Sequence, residues 1–191
     1  MIKRSFVTFA LTAFVLIPSM VKADQGDFSL GADIGNVGLV GSGMGTYGSN
    51  GFGFGGYLSY AASDLFDLDM NLLYSPHSNG ANSANAFYGT LALKFGMAFD
   101  QLLPYLTTGI GIYRNSVVLG GVSDSVASFG FNVGGGMDVD VGSMLRIGLL
   151  VRYHPVFGKT ISTGANGMGS FWDALFRIGI LFKTGVQGGW D

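Results

Sequence analysis

The chain has 191 residues, 48% of them hydrophobic and only 12% charged, about half the charged share usual in a soluble domain. A formal net charge of −2 excludes nucleic-acid binding through bulk charge. The absence of cysteine excludes disulfides, thiolate metal sites, a catalytic thiol and a lipidated N-terminal cysteine.

Residues 1–23 read as a secretory signal peptide. Lys3 and Arg4 precede an apolar stretch from Ser5 to Pro18, and Val21-Lys22-Ala23 places small residues where a signal peptidase reads. The expected mature domain, 24–191, contains no apolar run approaching the roughly 18–20 residues that a membrane-crossing helix needs.

The rest divides into eight segments that alternate apolar with small or polar residues. They are 27–35, 52–61, 66–75, 86–97, 104–114, 128–139, 144–154 and 171–182. The third shows the pattern most plainly: Phe66, Leu68, Met70, Leu72 and Tyr74 share one parity, while Asp67, Asp69, Asn71 and Ser75 share the other. Successive side chains on a strand point to opposite faces, so the segment has one oily wall and one acidic wall. Connections alternate in length. Those at 62–65, 98–103 and 140–143 are short; 36–51, 76–85, 115–127 and 155–170 are long and rich in Gly, Ser and Asn. Strands of about 9–12 residues joined by alternating short turns and long loops predict an all-β fold, an eight-stranded antiparallel up-and-down transmembrane β-barrel. An even strand number leaves both chain ends on the periplasmic side.

Every charge within the segments lies on the parity opposite the apolar set: Asp33, Asp67, Asp69, Lys94, Asp138, Arg146, Arg152, Asp173 and Arg177. A cationic side chain facing lipid at mid-depth costs about 2–4 kcal/mol. These nine therefore face the lumen, where five acids and four bases nearly balance. An eight-strand interior is just wide enough for side chains to fill, so the expectation is a structural ion-pair network that plugs the barrel. Inward glycines (Gly31, Gly53, Gly55, Gly109, Gly111, Gly130, Gly134 and Gly136) would leave room for long arginines. Aromatics cluster where membrane boundaries belong: Phe28, Tyr60, Phe66, Phe95 and Phe182 near the turns, and Phe52, Tyr74, Phe87, Phe129, Tyr153 and Trp172 near the loops.

The runs Pro104-Tyr105-Leu106-Thr107-Thr108-Gly109-Ile110-Gly111 and Phe129-Gly130-Phe131-Asn132-Val133-Gly134-Gly135-Gly136 resemble the small outer-membrane β-barrel family of Gram-negative bacteria. That family includes the transmembrane domain of outer membrane protein A and its adhesion- and invasion-type relatives. The resemblance implies a bacterial outer-membrane location and a structural or adhesin-like role through the loops, with a narrow porin-like channel as the alternative. It implies as partners outer-membrane lipid and lipopolysaccharide, the barrel-assembly machinery and a host or cell-surface ligand, for a chain that works as a monomer and binds no nucleic acid. Arg177, Gly179 and Phe182 match the family's terminal assembly signal, but Thr184 replaces its second aromatic.

Signs of catalysis are sparse. Gly51-Phe52-Gly53-Phe54-Gly55-Gly56 alternates as a strand and is not the strand-to-helix phosphate loop its glycines suggest. No P-loop lysine motif or zinc-binding histidine pair is present, and no cofactor is expected. Ser75-Pro76-His77-Ser78-Asn79 faintly resembles the outer-membrane lipid A deacylase segment. That family's triad is completed by a glutamate, and this chain has no glutamate. Adjacent His77 and Ser78 would also point to opposite faces, so His77 is expected to be an ordinary loop histidine and the protein no enzyme. His154, at the loop end of the seventh segment, is expected to join the polar network beside Asp173 or Arg152.

Overall fold

Alternation carries almost the whole described chain into strands. The computed structural model describes residues 25–40, 44–63, 65–97, 99, 101–157 and 170–184; the expected signal peptide lies outside them. In chain order come β1 (Phe28–Val40), a 3-10 turn η1 (Met44–Tyr47), β2 (Asn50–Ala61), β3 (Phe66–Asn79) and β4 (Asn82–Gly96). Then follow β5 (Leu102–Leu119), β6 (Val122–Val141), β7 (Leu145–His154), the two-residue β8 (Val156–Phe157) and β9 (Ser170–Phe182).

All pairings are antiparallel between neighbours, and β1 pairs with both β2 and β9, closing the sheet into a barrel. Pro155 has no N–H to offer and interrupts the last stave but one. The register on β6 is unchanged across it, with Val133 opposite Tyr153 and Gly130 opposite Val156. β7 and β8 are thus one stave, and the barrel has eight.

The outward parity is exposed all round: Phe54 by 48%, Leu72 by 54%, Leu106 by 57%, Leu149 by 57% and Ile180 by 50%. A girdle of bare Leu, Ile, Val and Phe circling the molecule far exceeds the apolar patches a water-soluble monomer tolerates. Closure removes the sheet edges that hydrocarbon could not solvate. Aromatic pairs mark the lower margin, where Phe28 stacks on Phe182 at 4.6 Å and Phe66 lies 6.2 Å from Phe95.

Two expected long loops are strands instead. Within 76–85, β3 and β4 run on to Asn79 and Asn82 and reverse at Gly80, which has φ +61°. Within 115–127, β5 and β6 reverse at Gly120 and Gly121, whose φ values of +56° and +85° suit a two-residue type I′ hairpin turn. The staves β3 to β6 consequently stand above their neighbours as a four-stranded wall. The first long stretch is also structured in part: η1 folds inward, Tyr47 is 2% exposed, and Asn79 Nδ2 donates to the Gly45 carbonyl at 2.8 Å. Beneath η1 an apolar cluster fills the loop-end half of the interior, including Val37, Leu73, Tyr88, Val117, Leu150 and Leu175.

Candidate functional site

Inward-facing charges form a ladder along the barrel interior. At the end where β1 begins and β9 finishes, Arg146 Nε and Nη2 donate to the two carboxylate oxygens of Asp140 at 2.6 and 2.9 Å. One step in, Lys94 Nζ donates to Asp138 at 2.7 Å and lies 4.0 Å from the Tyr105 ring centroid.

The middle rung is Arg177. Its Nε donates to Asp33 at 2.9 Å, its Nη2 donates to Asp69 at 3.2 Å, and its guanidinium lies over the Tyr57 ring at 3.8 Å. Asn71 joins this rung to the next. Its Nδ2 donates to Asp33 at 2.9 Å, while its Oδ1 accepts from Arg152 Nη1 at 2.5 Å.

Above it, Arg152 grips Asp173 with Nε at 3.2 Å and Nη2 at 2.8 Å. Asp173 also accepts from the Tyr88 hydroxyl at 2.7 Å and lies 3.0 Å from His154 Nε2. His154 Nδ1 is 3.0 Å from the Tyr113 hydroxyl, and its ring stacks on Phe171 at 4.4 Å. Arg152 and Arg177 are each 1% exposed. Each is held by charge-assisted hydrogen bonds, the condition under which a buried guanidinium is tolerated.

Eight of the nine sequence-singled charges thus fall in ion pairs. Asp67 does not: it is half-buried and in register with Lys94, whose amine turns to Asp138. The partner of Arg146 is Asp140, a residue the sequence reading placed in a short turn. The bridging groups Asn71, Tyr57, Tyr88, Tyr105 and Tyr113 were likewise not singled out, although all lie on the same parity as the charges.

The inward glycines make room, but chiefly for tyrosines. A Cβ at Gly31 or Gly179 would strike the Tyr57 ring or hydroxyl; one at Gly136 would strike Tyr105, and one at Gly111 would strike Tyr113. Gly134 alone among these clears an arginine, Arg152.

His77 is not a loop residue. It sits inward on β3, 2% exposed, with Nε2 3.1 Å from Ser75 Oγ two residues away on the same face. The serine on its face is Ser75, not the adjacent Ser78. Among the described residues no carboxylate orients the imidazole and Nδ1 has no hydrogen-bond partner. The pair lies beyond the Tyr74 girdle, and burial pushes the His77 pKa down. Among the described residues no group of His, Asp or Glu is arranged to hold a metal ion.

The outward face changes character at the row Tyr74, Phe87, Arg114 and Ala127, which are in register across β3 to β6. Below it lie Leu72, Ile112 and Phe129; above it lie Pro76, Asn85, Ser116 and Ser125.

Residues 7–180 match the outer membrane protein beta-barrel domain family. A "22 kDa outer membrane protein" of Rhizobium leguminosarum bv. viciae is 28% identical over 163 residues, 83% of this chain and 77% of that protein. Neisserial surface protein A superposes with a TM-score of 0.65 at 17% identity, over 83% of this chain and 99% of its own. Ail, the attachment invasion locus protein of Yersinia pestis, does so with a TM-score of 0.55 at 14% identity, over 83% and 99%.

Proposed function

We propose that this chain, which belongs to the outer membrane protein beta-barrel domain family, serves the outer membrane of a Gram-negative cell as a monomeric structural and surface-contact barrel with a sealed lumen and no catalytic activity. The start of β1, the end of β9 and the short turns lie at the periplasmic end, and the four-stranded wall stands on the cell surface.

One observation carries the seal. Around the ring of eight staves, β7 lies diametrically opposite β3, and Arg152 on β7 bonds Asn71 on β3. Tyr88 on β4 crosses to Asp173 on β9, also its opposite. Side chains tied wall to wall across a narrow interior leave no continuous path for ions. Planar-bilayer recording tests this: the barrel is expected to give only leak-level current, and a stable open channel would establish the porin-like alternative.

The surface role rests on the wall and hairpins, where binding on a rigid scaffold usually resides. Ail has been crystallised in complex with the heparin analogue sucrose octasulfate, which supports a contact role for a barrel of this architecture. Here the wall presents Ser78, Ser83, Asn85, Ser116, Ser123 and Ser125 outward, a surface suited chiefly to hydrogen bonding. Cell-binding assays with the 78–83 and 117–124 hairpin tips shortened test it, and unchanged binding would refute it. Against catalysis, Ser75 and His77 are buried beside η1, and no third group among the described residues orients the base.

A further inference from the structure

Arg114 is the one charged side chain that faces outward from the described strands. It is exposed, lies on the parity of Ile110 and Ile112, and sits in register between Phe87 on β4 and Ala127 on β6. Among the described residues no carboxylate shares its face of the wall. The row beneath it is Leu72, Gly89, Ile112 and Phe129, hydrocarbon-facing and mostly bare.

Position fixes what surrounds the guanidinium. From the Phe66–Phe95 pair to the Tyr74–Phe87 pair runs eight residue steps of β3, about 27 Å of strand. Tilted by about 40°, that strand spans roughly 20 Å of bilayer, close to the apolar band of such barrels once ring height is added. Arg114, in the same register row two strands away, therefore stands within about 6 Å of the upper edge of the hydrocarbon at that tilt, where headgroups begin. Tyr74, two strands away in that row, marks the polar side of the girdle by turning its hydroxyl up to donate to Asn85 Oδ1 at 3.0 Å. An unpaired cation at that depth requires an anion from the membrane, and the planar fork of arginine fits phosphate oxygens two at a time.

We propose that Arg114, with Ser116, Asn85 and Ser125 in the row above, holds a phosphate of the phosphorylated glycolipid in the outer leaflet. The apolar strip below receives that lipid's acyl chains, and the serine-rich wall above lies along its sugars. This deepens the surface-contact reading by naming a lipid that the wall engages before any partner outside the cell.

Native mass spectrometry of the full barrel released from micelles tests the site. The barrel is incubated with bisphosphorylated lipid A, with lipid A stripped of its phosphates, or with phosphatidylglycerol. Bisphosphorylated lipid A is expected to be retained roughly tenfold more by the wild type than by Arg114→Gln, with Arg114→Lys between them. Dephosphorylated lipid A should bind both proteins weakly and alike, and millimolar inorganic phosphate should not displace the glycolipid. Equal retention by wild type and Arg114→Gln overturns the proposal, as does equal retention of phosphatidylglycerol or full displacement by free phosphate. Arg114 lies outside the lumen, so both variants should keep heat-modifiable migration as folded barrels. The sealed-lumen reading stands or falls separately, on conductance.

Discussion

Arg177 and Asp33 meet across the seam that closes the barrel. They are 144 residues apart in the chain, in register between β9 and β1, and joined Nε to Oδ1 at 2.9 Å. The first and last strands are thereby locked by a charge pair as well as by their backbone ladder. Only one register lets both groups face inward opposite each other.

Removing one partner strands the other. Arg177→Met leaves Asp33 and Asp69 buried without their shared cation, and the expected loss is about 3–5 kcal/mol. Urea unfolding of the detergent-folded barrel measures it. A loss below about 1 kcal/mol would show that the rung contributes little.

Asn71 ties two rungs together, so Asn71→Ala should cost about 2 kcal/mol, through the unpaired oxygen of Asp33 and the loss to Arg152 Nη1 of its shorter bond, which leaves it Thr90 Oγ1 at 3.3 Å. Asn115 is equally buried but has no hydrogen-bond partner. Asn115→Ala should change stability by under about 1 kcal/mol, because no partner is orphaned. The same unfolding experiment ranks the two asparagines, and equal losses would contradict the linking role.

Gly134 gives Arg152 its path across the lumen. A Cβ there would lie 2.8 Å from Arg152 Cγ and against the Val151 carbonyl. Gly134→Ala is expected to cost about 1–3 kcal/mol by overpacking. Gly45, with open space around its Cβ position, should accept alanine without measurable change.

The wall should loosen in acid at its inner corner. His77 has a folded-state pKa below its usual value because it is buried. Such a base contributes full stability above about pH 6.5 and loses it as pH falls toward the lowered value, since the unfolded form takes up the proton first. Amide exchange at 75–79, corrected for intrinsic rates, should quicken between pH 7.5 and 5.5. His77→Gln should flatten that dependence; an equal response in the variant would assign it elsewhere.

The barrel and the inward face were legible because lipid demands a large apolar residue at every second position. The contrast between Met70 and its neighbours Asp69 and Asn71 is therefore sharp. Above the girdle that demand ends. Ala84 and Ala86 alternate with Ser83 and Asn85, a contrast too weak to reveal a strand, and two hairpins were read as loops. The Asn79-Gly80 and Gly120-Gly121 pairs were the available signals. Asp140 was missed because it falls at a strand end that the reading assigned to a turn. The inward tyrosines escape notice because an aromatic on the polar parity carries no charge to betray it, although glycines under the rings of Tyr57, Tyr105 and Tyr113 mark the space they occupy.

The central claim is that hydrocarbon wets the phenylalanine side of these strands while the charges lie within. Single-tryptophan barrels, with Trp172 and Trp190 replaced by phenylalanine, place the reporter either outward as Phe54→Trp or inward as Tyr57→Trp. In vesicles of lipids brominated along the acyl chain, fluorescence at position 54 should be strongly quenched and that at 57 spared. Quenching at 57 with protection at 54 would contradict the account.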